Sequence, residues 1–271
     1  MTMKLTILVD NNTFIDQYYY GEPAACFYIE DSGRKILFDT GYSDVLIRNA
    51  ELMGIDLKEV DCIAISHGHN DHTRGLQFLH EYMDLKNVEV ISHPTCFFPK
   101  YVDGAFIGAP FSTEKMAEIS NFQPCRGFKA ITDKLFFLGA IPRMNDFENQ
   151  KPIGMVEMYG TMEEDYSLDD TALVYKGEEG IFVITGCSHS GICHIVDYAK
   201  FVTGEDRVLG VLGGFHLFEY DEQLEKTITY LESCKIDKLY PCHCVSLLAK
   251  AKMMEKLPVV ETGVGMTVEI K

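Results

Sequence analysis

The segment SHGHNDHTRG, residues 66–75, places three histidines and an aspartate within six positions. It follows directly after VDCIAI, a short apolar stretch that is typical of a buried strand. Ligands of α/β proteins bind where strands end, so side chains after such a strand converge on one site. His67 and His69 are two positions apart, and in extended backbone such residues share one face. These features predict a binding loop at a strand end and argue against a chance cluster of surface histidines.

Neutral imidazole and carboxylate groups are good ligands for zinc and other divalent first-row metals. His67 and His69 form one pair of such residues, and Asp71 and His72 form a second pair at the predicted start of a helix. Gly68, between the first two, allows a tight backbone path. Two pairs of ligand-type residues in one short turn predict two adjacent metal ions.

Histidines also follow three later apolar segments, ITGCSH, LGGFH and LYPCH. These residues are His189, His216 and His243. Because side chains at strand ends can meet at one edge of a sheet, they are candidates for the same site. We expect structural roles for the other three histidines, which are His80, His93 and His194.

Strand patterns dominate the first part of the chain, with KLTILVD, AACFYIE and KILFDTG as the clearest examples. In the last part, strands such as GIFVITGC and RVLGVLGGFH alternate with helical patterns. Early hairpins followed by βα units predict two sheets with helices outside, which is an α/β layered architecture.

Residues 95–133 are less regular and contain three prolines, Pro99, Pro110 and Pro124. A long irregular segment of this kind is a candidate insertion or lid over a site. A packed surface excursion is the alternative.

The charge of the chain restricts its partners. The 271 residues include 24 Lys and Arg against 41 Asp and Glu, a formal net charge of −17. A field of this sign repels phosphate backbones, so we expect a small-molecule substrate and no nucleic acid.

No run of about eighteen apolar residues is present, so we expect no membrane association and a cytoplasmic location. The nine cysteines are odd in number and irregular in spacing, so we expect most of them to be reduced.

The hexapeptide HGHNDH matches the HxHxDH signature of the metallo-β-lactamase superfamily. Upstream, ILFDTG resembles the family's strand that ends in an aspartate, here Asp39, which would support the ligand histidines. DHTRGL, GAIPR, ITGCSHSGI, GGFHL and YPCHC look like one subgroup, the 7,8-dihydropterin-6-yl-methyl-4-(β-D-ribofuranosyl)aminobenzene-5'-phosphate synthases. Most members of this subgroup are described only as metal-dependent hydrolases. The resemblance covers nearly the whole chain and implies one domain over residues 1–271 with a four-layer αββα sandwich fold.

The resemblance also implies a dinuclear site with two divalent metal ions, zinc first and manganese or iron as alternatives. The implied ligands are His67, His69, Asp71, His72, His189 and His243. Cys187 stands where the family has a bridging aspartate, and we expect it either to bind metal as a thiolate or to pack behind the site. Asp170 is a weaker ligand candidate, and His216 is expected to contact substrate or to support the ligands.

These residues lead to the hypothesis of a metal-dependent hydrolase that acts on a small phosphorylated or otherwise anionic metabolite. Asp71 is the candidate catalytic proton acceptor. Arg143 and Glu148 are candidates for binding the substrate, with an ordinary surface salt bridge as the alternative for Arg143. A synthase or transferase acting on a phosphorylated pterin precursor is a second hypothesis, and a di-iron redox or non-catalytic metal-binding protein is a third. Pro23 and Ala24 stand where the subgroup usually has a histidine–glycine pair, so the subgroup's reaction need not transfer.

Overall fold

The strands of the first part of the chain form a large mixed sheet. The computed structural model describes residues 2–148 and 150–271. Within those residues this first sheet has seven strands, in the spatial order β17 (Thr267–Ile270), β1 (Met3–Val9), β2 (Cys26–Asp31), β3 (Arg34–Phe38), β4 (Cys62–Ala64), β5 (Glu89–Ser92) and β8 (Asn121–Pro124). Neighbouring strands are antiparallel from β17 to β3 and parallel from β3 to β8. The register sets Phe38 beside Ala64, so Asp39 and the histidine turn leave neighbouring strands at one edge.

The later strands form the second sheet. In the described part of the chain its six strands have the order β16 (Lys238–Pro241), β15 (Val208–Gly213), β14 (Ile181–Thr185), β13 (Ala172–Lys176), β10 (Leu135–Phe137) and β9 (Lys129–Ala130). β14, β15 and β16 are parallel, with Thr185 beside Gly213 and Gly213 beside Pro241. The segments that follow these three strands therefore start at the same edge of the sheet.

The two sheets pack face to face, and helices cover their outer faces. Large aromatic side chains such as Phe27, Phe38, Phe137 and Tyr175 fill the space between the sheets. The helices over the first sheet are α1 (Val45–Leu52), α3 (Gly75–Tyr82) and α4 (Thr113–Ile119). The helices over the second sheet are α5 (Ile192–Thr203), α6 (Glu222–Ser233) and α7 (Leu247–Met254). This arrangement confirms the predicted four-layer αββα sandwich.

The helices form where apolar residues recur at helical spacing. In α5, Ile192, Ile195, Val196 and Ala199 are buried on one face, and Gly204 ends the helix in the left-handed conformation. A short helix, α2 (Asn70–Thr73), follows the histidine turn. None of the helices in residues 2–148 and 150–271 has the length and apolar character that crossing a membrane requires.

Residues 95–133, the candidate insertion or lid, are divided among three sheets. β8 is the edge strand of the first sheet, and β9 is the edge strand of the second. β6 (Lys100–Val102) and β7 (Ala105–Phe106) belong to a third, smaller sheet with β11 (Gly154–Met158) and β12 (Thr161–Asp165). The segment is therefore part of the sheet framework as well as a neighbour of the site. Its role as a lid and the single-domain division of residues 1–271 stay predictions.

Candidate metal centre

The histidine turn joins β4 to α2 and is held in a narrow space. His69 is the residue that precedes α2, and its backbone is extended. A Cβ atom on Gly68 would lie 1.9 Å from the carbonyl oxygen of Cys96, so only glycine fits between the two histidines. This close approach explains why a glycine separates the two histidines.

Three imidazole nitrogens meet beside this turn, and we call His67, His69 and His189 the first ligand group. His67 Nε2 lies 2.9 Å from His69 Nδ1, and His189 Nε2 lies 3.1 Å from the same atom. His189 comes from the loop between β14 and α5. All three side chains are buried. The turn and this loop therefore bring together three of the residues predicted as ligands.

Four further donor atoms meet next to the first group, and we call Asp71, His72, Cys187 and His243 the second ligand group. His72 Nε2 lies 3.1 Å from Cys187 Sγ, 3.2 Å from His243 Nε2 and 3.5 Å from Asp71 Oδ2. His243 Nε2 lies 3.2 Å from Asp71 Oδ2. Ligand atoms about 2.0–2.1 Å from one tetrahedral ion are about 3.3 Å from each other, so the nitrogen and oxygen spacings suit one cation.

Asp39 connects the two ligand groups from behind. Its Oδ2 accepts hydrogen bonds from His72 Nδ1 at 2.7 Å and from Ser66 Oγ at 2.7 Å. Because the Ser66 hydroxyl donates to Asp39, its oxygen is left to accept from His67 Nδ1, 2.9 Å away. In the neutral form of each ring the lone pair is therefore on Nε2, which faces the other ligand atoms. Asp39 thus contacts His72 directly and His67 through Ser66, and its role in supporting metal ligands stays a prediction.

The electrostatics of the first group favour neutral imidazoles. Burial and the neighbouring histidines lower the pKa of His67 and His189 well below the ordinary value. Burial likewise lowers the pKa of His69 to about 4. A neutral imidazole offers the lone pair that a metal ion requires.

The second group instead stabilises positive charge. Burial alone would lower the pKa of His72, but the carboxylates of Asp71 and Asp39 raise it to about 9. Burial alone would raise the pKa of Asp71, but His72 and His243 hold it below the ordinary value. Burial raises the pKa of the Cys187 thiol, and a bound metal ion is the usual cause of deprotonation at such a site. The donor set of each group therefore fits a divalent cation.

A cavity of 450 Å³ opens over both groups. Asn11, Asn70 and Asp71 are among its polar lining residues, and Cys187, His189 and His243 lie at its floor. The rest of its wall is largely apolar and includes Pro23, Tyr42, Ile107, Ile153 and Phe218. A second cavity of 240 Å³ is also lined by Ile153, His189 and His216, so the two adjoin.

His216 and Asp170, the weaker candidates, lie next to the ligand groups. The His216 ring centroid is 4.5 Å from that of His189, and His216 lines both cavities. Asp170 Oδ2 accepts hydrogen bonds from the backbone N–H and the hydroxyl of Ser190, the residue after His189. Burial raises the pKa of Asp170 to about 6. These positions suit support of the ligands better than direct metal binding.

Arg143 and Glu148, the predicted substrate-binding residues, have partners inside the protein. Arg143 Nη2 donates to the carbonyl oxygens of Tyr166 at 2.6 Å and Ser167 at 3.2 Å. Glu148 is buried and accepts hydrogen bonds from two backbone N–H groups in the first turn of α5. Both side chains therefore have an evident structural task, and their role in substrate binding stays a prediction.

The three histidines expected to be structural lie outside both ligand groups. His194 accepts a hydrogen bond from the backbone N–H of Asn145 at 2.8 Å, and its Nδ1 lies 2.7 Å from the carbonyl oxygen of Ser190. His93 Nδ1 lies 2.9 Å from Thr95 Oγ1. His80 is exposed on α3.

Two supporting carboxylates were missed from the sequence. Asp169 Oδ2 accepts a hydrogen bond from the backbone N–H of Gly68 at 2.7 Å. Asp10 Oδ1 accepts one from the backbone N–H of His243 at 2.7 Å. Both stand next to a strand, Asp10 in LVDNN and Asp169 in LDDTAL, and this position beside a strand end was the available signal.

Comparison with known proteins agrees with this geometry. The model of the metallo-beta-lactamase superfamily matches residues 19–243. An uncharacterized protein of Methanocaldococcus jannaschii is 30% identical over 253 residues, which cover 93% of this chain and 94% of that protein. The 7,8-dihydropterin-6-methyl-4-(beta-D-ribofuranosyl)-aminobenzene-5'-phosphate synthase of the same organism is 27% identical over 273 residues, which cover 94% of this chain and 91% of that protein.

Solved structures lead to the same family. A metal-dependent hydrolase of the beta-lactamase superfamily superposes with a TM-score of 0.84 at 28% identity, covering 99% of both chains. A diphosphatase from the PhnP family, at 15% identity and a TM-score of 0.59, covers 100% of this chain and 98% of its own and shares the fold. The chain therefore belongs to the metallo-beta-lactamase superfamily.

Proposed function

We propose that the chain is a metal-dependent hydrolase of small phosphorylated or otherwise anionic metabolites. The observation that carries this proposal is the contact between the two ligand groups under one cavity. The rings of His67, in the first group, and His72, in the second, have centroids 4.2 Å apart. Adjacent groups of this kind suit two divalent ions about 3.5–4 Å apart, the spacing of two-metal hydrolases.

The proposed ions are zinc, with manganese or iron as alternatives. Zinc accepts nitrogen, oxygen and sulfur ligands, which matches the mixed second group of Asp71, His72, Cys187 and His243. Ions held by the two ligand groups would supply water activation near neutral pH and stabilisation of negative charge on a substrate oxygen.

The chain's own residues supply the remaining requirements. The Asp71 side chain is 29% exposed and lines the cavity beside the second ligand group, and we assign it the role of proton acceptor. Ile107, Ile153 and Phe218 give the cavity an apolar wall beside the ligand groups, which suits a substrate with an apolar part. A cavity of 450 Å³ suits a small molecule, and the net charge of −17 disfavours a nucleic-acid polymer.

A synthase reaction is the second candidate. It is favoured by the 27% identical relative from Methanocaldococcus jannaschii that carries a synthase name. The same ligand groups would hold ions that take up the charge on a phosphorylated leaving group while a second substrate, in place of water, forms the new bond. Product analysis separates the two, because hydrolysis consumes water and a synthase joins two substrates.

The proposal is tested by a hydrolysis screen of phosphoesters and lactones with protein reconstituted in zinc, manganese or iron. We expect turnover by the unchanged chain and by His80→Ala, an exposed histidine outside both groups. We expect His67→Ala to reduce turnover by a factor of about 100 or more, because it removes a ligand of the first group. Equal turnover by His67→Ala and His80→Ala would rule out the proposed site.

A further inference from the structure

We propose that Asp169 is a positioning residue that fixes the first ligand group through the backbone N–H of Gly68. The inference rests on the metal centre of the proposed function. It concerns how the first group is held, and it is independent of which reaction the centre performs.

Gly68 lies between two ligands of one ion, so its peptide orientation sets the directions of both imidazoles. Its N–H donates to Asp169 Oδ2 at 2.7 Å, across 101 positions of the chain. Its Cα has no room for a side chain, because a Cβ atom would lie 1.9 Å from the Cys96 carbonyl oxygen. A rotation of this peptide would therefore move His67 and His69 together.

Lys100 holds the carboxylate of Asp169 in place. Its Nζ donates to Asp169 Oδ1 at 3.0 Å and to Asp165 Oδ2 at 2.8 Å. The three side chains are 1–5% exposed. A buried ion cluster of this kind seldom stabilises a fold more than apolar side chains of the same volume would. One carboxylate of the cluster, that of Asp169, binds the turn between His67 and His69, and this contact supports a positioning role.

The residues beside Asp169 bind the backbone of Ser66 and Ser190, which are the chain neighbours of His67 and His189. The backbone N–H of Thr171 donates to the carbonyl oxygen of Ser66 at 2.9 Å. Asp170 Oδ2 accepts from the backbone N–H of Ser190 at 2.9 Å, next to His189. One short segment, residues 169–171, thus binds both sides of the first group.

The second group is held by different carboxylates. Asp39 accepts from His72 Nδ1, and Asp10 accepts from the backbone N–H of His243. We therefore expect a substitution of Asp169 to weaken metal binding in the first group and to leave metal binding in the second group unchanged.

The test is a matched pair of variants, Asp169→Asn and Asp165→Asn. Each substitution replaces one of the two carboxylates that accept a hydrogen bond from Lys100 Nζ. In Asp169→Asn, the amide NH2 must face either the Gly68 N–H or Lys100 Nζ, so either the Gly68 hydrogen bond is lost or the side chain that accepts it loses its contact with Lys100. In Asp165→Asn, the same conflict falls on the Ser167 N–H, which donates to Asp165 Oδ1 at 2.7 Å, and the Gly68 bond remains.

The readout is titration of the metal-free full-length proteins with cobalt(II). We expect cobalt in the second group to give a sulfur-to-metal absorption, because Cys187 is one of its four candidate donors, whereas cobalt in the first group has only histidine donors and gives the weaker visible bands. We expect Asp169→Asn to weaken binding in the first group about 10–100-fold and to leave the sulfur-to-metal titration unchanged. We expect Asp165→Asn to bind cobalt in both groups like the unchanged chain. Equal first-group binding in the two variants overturns the proposal.

Hydrogen exchange of the Gly68 amide in the unchanged metal-free protein tests the same bond without a substitution. We expect slow exchange, because the N–H is buried against a carboxylate, and fast exchange overturns the proposal. Cobalt binding without turnover would contradict the hydrolase function and leave the role of Asp169 intact. Turnover by the unchanged chain would support the hydrolase function. If Asp169→Asn also bound cobalt in the first group as tightly as the unchanged chain, the role of Asp169 alone would be contradicted.

Discussion

Replacing Asp39 with asparagine exchanges one oxygen for an NH2 group where the carboxylate accepts three hydrogen bonds. Oδ1 accepts from the Ser66 N–H at 2.7 Å, and Oδ2 accepts from the Ser66 hydroxyl and His72 Nδ1 at 2.7 Å each. The side chain is fully buried, so water cannot replace a lost partner. In Asp39→Asn, a donor must face a donor at one of these positions.

The size of the effect follows from these contacts. A hydrogen bond to a charged group contributes about 1.5–3 kcal/mol, and leaving one buried partner unsatisfied costs a similar amount. Loss of a partner behind a ligand histidine weakens metal binding about 10–100-fold, which corresponds to about 1.4–2.7 kcal/mol. The free energy estimated from the hydrogen bond and the free energy estimated from the loss of metal affinity therefore agree. Because Asp39 contacts His72 directly and reaches His67 through Ser66, we expect both ligand groups to weaken.

Zinc competition with a chromophoric chelator measures the two affinities. Ser66→Ala is the matched control, because it breaks the connection to His67 and leaves the bond between Asp39 and His72. We expect this variant to weaken only the first group. Zinc binding by Asp39→Asn equal to that of the unchanged chain would refute the reasoning, and so would equal weakening of both groups in Ser66→Ala.

Two further predictions concern protonation and the sulfur ligand. We expect the metal-free protein to be most stable near pH 6.5, with urea unfolding at about pH 5, 6.5 and 9 as the measurement. Below about 6.5 the unfolded chain binds protons that buried His69, with its pKa lowered to about 4, does not bind, so the free energy of unfolding falls. Above about 6.5 the contribution of His72, whose pKa is raised to about 9, is lost as the pH rises through that value; a flat profile would contradict both effects. We expect Cys187→Ser to abolish the sulfur-to-metal absorption of the cobalt form and to weaken the second group about tenfold or more; an unchanged spectrum would mean that Cys187 only packs behind the site.

Residues close together in the sequence were the predictable part of the site. His67, His69, Asp71 and His72 lie in one turn, so their spacing alone indicates shared ligands. The strand before the turn and the later strand ends placed His189 and His243 at the same edge of the fold. Alternating strands and helices were likewise enough to predict the layered architecture.

Contacts between distant backbone and side-chain groups were not predictable. Asp169 binds a peptide N–H 101 positions away, and Lys100 reaches it from a three-residue strand with no periodic pattern. β7 and β9 have two residues each, too few for alternation to be visible. The internal partners of Arg143 and Glu148 were also not predictable, because a sequence does not show which carbonyls or helix ends need a partner.

The most direct test of the dinuclear centre is the metal content of protein purified without added metal, measured by elemental analysis beside His67→Ala. Near two equivalents of zinc, manganese or iron per chain, reduced in the variant, is the predicted result, because the two ligand groups lie side by side under one cavity. No bound metal, even after addition of zinc or manganese, would contradict the metal centre and the hydrolase mechanism with it.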